Sequence, residues 1–130
     1  MSEYKKDYIK YRIEKSEQAY SDAKLLADNE SWNASVNRLY YSCYYIVSAL
    51  TLQDNIISQT HSGLKNKFNL HYVKTGIVPV EMAKLYSDLI DSRQKSDYGD
   101  LYDFDKETVE ALIKPTGDFI ELIKQLLIAD

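Results

Sequence analysis

Residues 34–50 read Ala-Ser-Val-Asn-Arg-Leu-Tyr-Tyr-Ser-Cys-Tyr-Tyr-Ile-Val-Ser-Ala-Leu, and this stretch decides the fold. Val36, Tyr40, Cys43, Val47 and Leu50 recur at spacings of three and four, which is one stripe of an α-helix. Asn37, Tyr41, Tyr44 and Ser48 form a second stripe one residue further on, about 100° around the axis. A helix that is apolar or aromatic around most of its circumference belongs at the centre of a bundle. Residues 32–52 are therefore expected to form a central helix, with Asn37 and Tyr41 as polar groups at a buried or cleft position.

Helical periodicity continues on both sides. Ile9, Ile13, Tyr20, Ala23 and Leu26 place a long helix over residues 3–29, which Asn29, Glu30 and Ser31 close. After a connection from Asp54 to Thr60, Leu64, Phe68 and Tyr72 predict a shorter helix from about Ser62 to Val73, with His61 just before it. Thr75-Gly76 ends that element, and Pro79 suits the first turn of the next helix. Met82, Ala83, Tyr86, Leu89 and Ile90 predict a fourth helix over 80–96, followed by a polar loop from Asp97 to Asp105 that contains Gly99. Asp105 is the expected N-cap of a last helix, whose stripe Val109, Leu112, Ile113, Ile120, Ile123 and Leu127 runs across Pro115. The continuing period predicts one kinked helix, with a break at Pro115-Thr116-Gly117 as the alternative. The sum is an all-α antiparallel bundle of about five helices, read as one domain over residues 1–130.

Composition narrows the function. Gly 4 and Pro 2 leave few turn signals, which favours a few long elements. Cys43 is the only cysteine, so an internal disulfide and a multi-thiolate zinc site are both excluded. The amino-terminal segment is polar and no apolar run approaches membrane length, so a cytoplasmic protein with no membrane association is expected. The net charge of -4 argues against wholesale coating of nucleic acid. No acid occurs from Asn55 to Val80, whereas acids outnumber bases from Glu81 to Glu110; two solvated faces would account for that division. The sequence holds no glycine-rich phosphate loop, no GxSxG elbow and no Glu-x-x-His pair, so neither metal nor cofactor is expected.

The segment Arg93-Gln94-Lys95-Ser96-Asp97-Tyr98 carries the remaining chemistry. Arg93 falls on the extrapolated core face of the fourth helix, an unusual place for a charge. Its planar fork suits a phosphate or carboxylate, and Tyr98 adds a hydroxyl about one turn on. A purely structural reading pairs Arg93 with Asp97 at i,i+4 to close the helix end. Structural readings exist for the other candidates too: His61 as a packing or capping residue, Asn37 as a satisfied buried amide, and Tyr40, Tyr44 and Tyr45 as core or interface aromatics.

Ala34-Ser35-Val36-Asn37-Arg38-Leu39-Tyr40-Tyr41, Thr60-His61-Ser62-Gly63, Arg93 to Tyr98 and Phe119 to Lys124 occur in an order and spacing that resemble small HEPN proteins across nearly the whole chain. The resemblance implies a helical bundle that dimerises, is paired with a minimal nucleotidyltransferase, and works in a toxin–antitoxin-like system. Toxic members of the family are metal-independent ribonucleases with an arginine, four to six residues and then a histidine; the arginine holds the scissile phosphate. Here four residues follow Arg93 and then comes Tyr98, and no histidine occurs after His71. A phenol, ionising near roughly pH 10, is a poor general base at neutral pH. The expectation is a noncatalytic module that binds a nucleotide or RNA through Arg93, with Asp97, Tyr98, Asn37, Tyr41 and His61 lining the cleft. The alternatives are a divergent ribonuclease using Arg93 with His61 or Tyr98, and a purely structural subunit.

Overall fold

The computed structural model describes residues 2–98 and 102–127. Their order is α1 (Glu3–Asp28), α2 (Trp32–Gln53), α3 (His61–Phe68) continuing into a single π-turn (Asn69–Val73), α4 (Val80–Tyr98) and α5 (Lys106–Leu126). No strand occurs among the described residues. Helix α2 packs against each of the other four helices, as its two stripes require. Val36, Tyr40, Cys43, Val47 and Leu50 are all essentially inaccessible, whereas Asn37, Tyr41 and Tyr44 are half-buried.

Helices α1 and α2 meet along small residues, Ser16, Ala19, Ala23 and Ala27, which let the two backbones approach closely. Glu30 takes φ 61, the left-handed conformation that ends a helix, and Ser31 N–H reaches back to the Leu26 carbonyl at 2.8 Å. Asn55, with φ 60, closes α2 in the same way, as Ile56 N–H donates to the Thr51 carbonyl. The chain thus turns twice without glycine.

The expected helix from Ser62 to Val73 differs in two respects. It begins at His61, capped by Thr60, whose side-chain oxygen accepts from Gly63 N–H at 2.9 Å. Its last turn widens into the π-turn, from which the Tyr72 hydroxyl donates to Asp54 at 2.5 Å and ties down the 54–60 connection. Helix α4 also runs two residues further than the polar sequence suggests, so Asp97 and Tyr98 are helical; Gly99 lies outside the described residues. Asp105 caps α5 by accepting from Thr108 N–H at 2.8 Å. Helix α5 continues through Pro115. There the Tyr20 hydroxyl donates to the Ile113 carbonyl at 2.9 Å, and the absent Cβ of Gly117 leaves room for that hydroxyl, which would otherwise lie 2.6 Å away.

Candidate functional site

Arg93 occupies the position at which the apolar stripe of α4 meets the aromatic face of α2. Its side chain is only 13% exposed. The guanidinium carbon sits 4.8 Å above the Tyr40 ring and 5.7 Å from the Tyr41 ring, a cation held on two π-faces. Nη1 donates to the Tyr41 hydroxyl at 3.1 Å. Nε is buried and has no hydrogen-bond partner. Asp97, one turn on, brings Oδ2 to 4.0 Å from that Nε, near enough for charge attraction and too far for a hydrogen bond. The Arg93–Asp97 pairing expected from spacing therefore exists, but it leaves the bidentate Nε/Nη2 edge of Arg93 without a bonded acceptor.

His61, at the first turn of α3, reaches the same cluster from the other side. Its ring stacks on Tyr44 with centroids 4.3 Å apart and planes 8° apart, and Nδ1 is hydrogen-bonded to the Tyr40 hydroxyl. Burial, and then the charge of Arg93, hold the imidazole below its ordinary value, so it is neutral at pH 7. Burial pushes the Tyr40 phenol far above its ordinary value, so that group stays protonated. The Tyr40 hydroxyl, which can both donate and accept, positions the ring through Nδ1. His61 thus joins the cluster as a neutral ring. Gly63 makes this placement possible, because a Cβ there would lie 2.7 Å from both Ser58 Oγ and Thr60 Oγ1.

Asn37 joins the cluster through its amide. Nδ2 donates to Asp97 Oδ2 at 3.3 Å, and Oδ1 accepts from Arg38 Nε at 3.1 Å and Nη2 at 2.8 Å. Arg38 in turn lies 4.9 Å over the Tyr41 ring. The structure thus gathers Arg93, Asp97, Asn37, Tyr41 and His61. Tyr98 stands outside: its side chain is 77% exposed, and five residues beyond Arg93 it projects about 140° away around the helix. Sequence reasoning missed Arg38 and took Tyr40 and Tyr44 for packing residues; the i,i+3 spacing of Arg38 and Tyr41 was the signal that could have found the first.

A cleft of about 330 Å³ adjoins the cluster, lined by Tyr11, Tyr45 and Thr60 among others, with Tyr44 shared between cleft and cluster. No helix among the described residues is long and apolar enough to cross a membrane, and no group of three or more acidic, histidine or cysteine side chains there could hold a metal.

The protein is an all-helical bundle whose central helix presents tyrosines to a half-buried arginine. The chain belongs to the HEPN domain family, which it matches over residues 9–126. It is 37% identical over 123 residues to a UPF0332 protein of Thermotoga maritima, covering 95% of this chain and 93% of that protein. It is 32% and 28% identical to two Methanocaldococcus jannaschii proteins, "Putative toxin MJ0142" and "Putative toxin MJ0605". Those matches cover 97% and 94% of this chain, and 85% and 90% of the respective relatives.

Proposed function

We propose that this HEPN protein is a noncatalytic module that binds a phosphate-bearing ligand, a nucleotide or RNA, at Arg93. The observation that carries the reading is the buried, unbonded Nε of Arg93. A buried N–H without an acceptor costs stability, on the order of 1–3 kcal/mol. A phosphate that displaces Asp97 would supply two parallel charge-assisted bonds to the Nε/Nη2 edge of Arg93. The tyrosine-lined cleft beside Tyr44 offers aromatic faces to a base.

The ribonuclease reading draws on the nearness of His61 to Arg93 and on the toxin names of two relatives. It needs His61 to take up and release a proton. Burial and the Arg93 charge both oppose its protonation, and Tyr98 points away. The same proposal takes the chain as a homodimer that engages a minimal nucleotidyltransferase in a toxin–antitoxin-like system. Its support is the family resemblance and the exposed stripe Tyr4, Tyr8 and Tyr11 on α1.

The test is incubation with labelled total RNA without added metal, alongside a binding titration of the same RNA, for wild type and Arg93→Ala. Binding without cleavage, lost in Arg93→Ala, is the expected result. Cleavage by wild type that disappears in Arg93→Ala would replace the binding module with a ribonuclease. Equal binding by both proteins would remove Arg93 from the site.

A further inference from the structure

We infer that Arg38 is a second phosphate-holding residue, so that the site takes a ligand with two phosphates, one at Arg93 and one at Arg38. This deepens the proposed function and rests on its placing of a phosphate at Arg93. Both guanidiniums contact one side chain, the half-buried Tyr41: Arg38 lies over its ring and Arg93 is bonded to its hydroxyl.

The two arginines are oriented in complementary ways. Arg38 spends its Nε/Nη2 edge on the neutral Asn37 carbonyl oxygen, so its end-on Nη1/Nη2 fork is left for an oxyanion. Arg93 spends Nη1 on Tyr41, so its Nε/Nη2 edge is left. No carboxylate pairs with Arg38 among the described residues, and the one carboxylate of the cluster, Asp97, stands against Arg93. Among the described residues, two guanidiniums therefore share one carboxylate. Half-burial and two hydrogen bonds hold Arg38 in place, so little side-chain entropy is lost when a ligand arrives.

Asn37 links the two positions. It binds Arg38 through oxygen and Asp97 through nitrogen, so one amide orients the second arginine and steadies the carboxylate that the ligand must displace. Asp97 acts in the unliganded protein as a built-in competitor for the Arg93 phosphate. Two phosphates occur together in a nucleoside diphosphate and in successive links of a single-stranded oligonucleotide. The chemistry at the two arginines is the same for either source.

The experiment is a calorimetric titration with three probes: adenosine monophosphate, adenosine diphosphate and a 5′-phosphorylated uridine dinucleotide. Wild type, Arg38→Gln, Arg38→Lys and Arg93→Ala are compared, and thermal melts verify that each variant is folded. In wild type one or both two-phosphate probes bind about tenfold or more tightly than the monophosphate, as one added charge-assisted contact implies. The diphosphate winning marks a nucleotide as the ligand, and the dinucleotide winning marks a polynucleotide chain. In Arg38→Gln that advantage shrinks to less than about twofold, and Arg38→Lys restores part of it. For the preferred probe, the salt dependence of binding falls by about one counterion in Arg38→Gln.

A wild type that binds all three probes equally would overturn the inference, as would an Arg38→Gln variant that keeps the full advantage. Either result leaves the Arg93 reading intact if Arg93→Ala still loses the monophosphate. A monophosphate that binds Arg93→Ala as well as wild type defeats the Arg93 reading and, with it, the two-phosphate assignment. Absence of binding by every probe contradicts both.

Discussion

The seam between α1 and α2 and the seam between α2 and α4 both bury polar atoms, and they treat them in opposite ways. On the first, the Ser16 hydroxyl donates to the Ser42 carbonyl at 2.6 Å, the Ser35 hydroxyl to the Ala23 carbonyl at 2.8 Å, and Thr51 to Val47 at 3.1 Å. Each buried hydroxyl is small, neutral and bonded. On the second seam, Arg93 Nε and the Tyr86 hydroxyl are buried with no partner. Natural cores seldom leave such groups unbonded, so each exception calls for an explanation. The first seam satisfies its buried polar atoms, whereas the second leaves two of them unbonded, which the proposed function explains for Arg93 as a place kept for a ligand.

Substitutions can break or sharpen that contrast. The largest effect is expected at Ala23, fully buried where α1 lies against α2. Ala23→Leu forces extra methylenes into a close helix contact and should cost about 3 kcal/mol in urea unfolding. Ligand affinity per folded molecule should stay unchanged. A tolerated leucine would mean that the first seam is loosely packed. Ser35→Ala comes next, because it removes one buried hydrogen bond and should lower stability by about 1 kcal/mol.

Tyr86→Phe deletes a hydroxyl that has no partner, so the sign reverses. The variant should unfold at equal or higher denaturant, with a gain of up to about 1 kcal/mol. A clear loss instead would show that Tyr86 is satisfied like the serines, and the distinction between the seams would fail on that side.

The smallest effect is on pH dependence. His61 is harder to protonate folded than unfolded, so the unfolded chain binds the extra proton. Its contribution is fully present above the unfolded value near 6.5 and is lost as pH falls through the lowered folded value. His61→Asn should flatten the decline in melting temperature on going below about pH 6.5. A decline equally steep in the variant would assign the dependence to other groups.

The helices were legible in the sequence because they rest on periodicity. The stripes on α2 predicted its central place, and the unbroken period across Pro115 predicted one kinked helix and not two; α5 is a single helix. Two features escaped, each for its own reason. Asp97 and Tyr98 look like loop, yet Asp97 is held in the last turn of α4 by Asn37, 60 residues away. The π-turn at Asn69–Val73 depends on tertiary contacts that no spacing encodes.

For the site, Arg93 announced itself as a charge on a core stripe, and Asn37 and Tyr41 as polar positions on a helix otherwise apolar. His61 could be placed only in space, through its stacking on Tyr44. Tyr98 was drawn in by sequence proximity to Arg93, although five helical residues turn it away. Arg38 was overlooked because an arginine between Asn37 and Leu39 looks like ordinary solvated charge, and only the ring of Tyr41 beneath it shows otherwise.

The central claim is that Arg93 is kept for a ligand and not for the fold. Arg93→Met retains much of the side-chain volume and removes the charge and its unbonded Nε. Its thermal unfolding and its binding of the phosphorylated probe should be measured on the same preparation. The account predicts a melting temperature equal to or above wild type, with affinity for the probe reduced by about a hundredfold, the loss of two charge-assisted bonds. A protein that melts well below wild type yet binds the probe as tightly would contradict it, and would make Arg93 a structural residue of the α2–α4 seam.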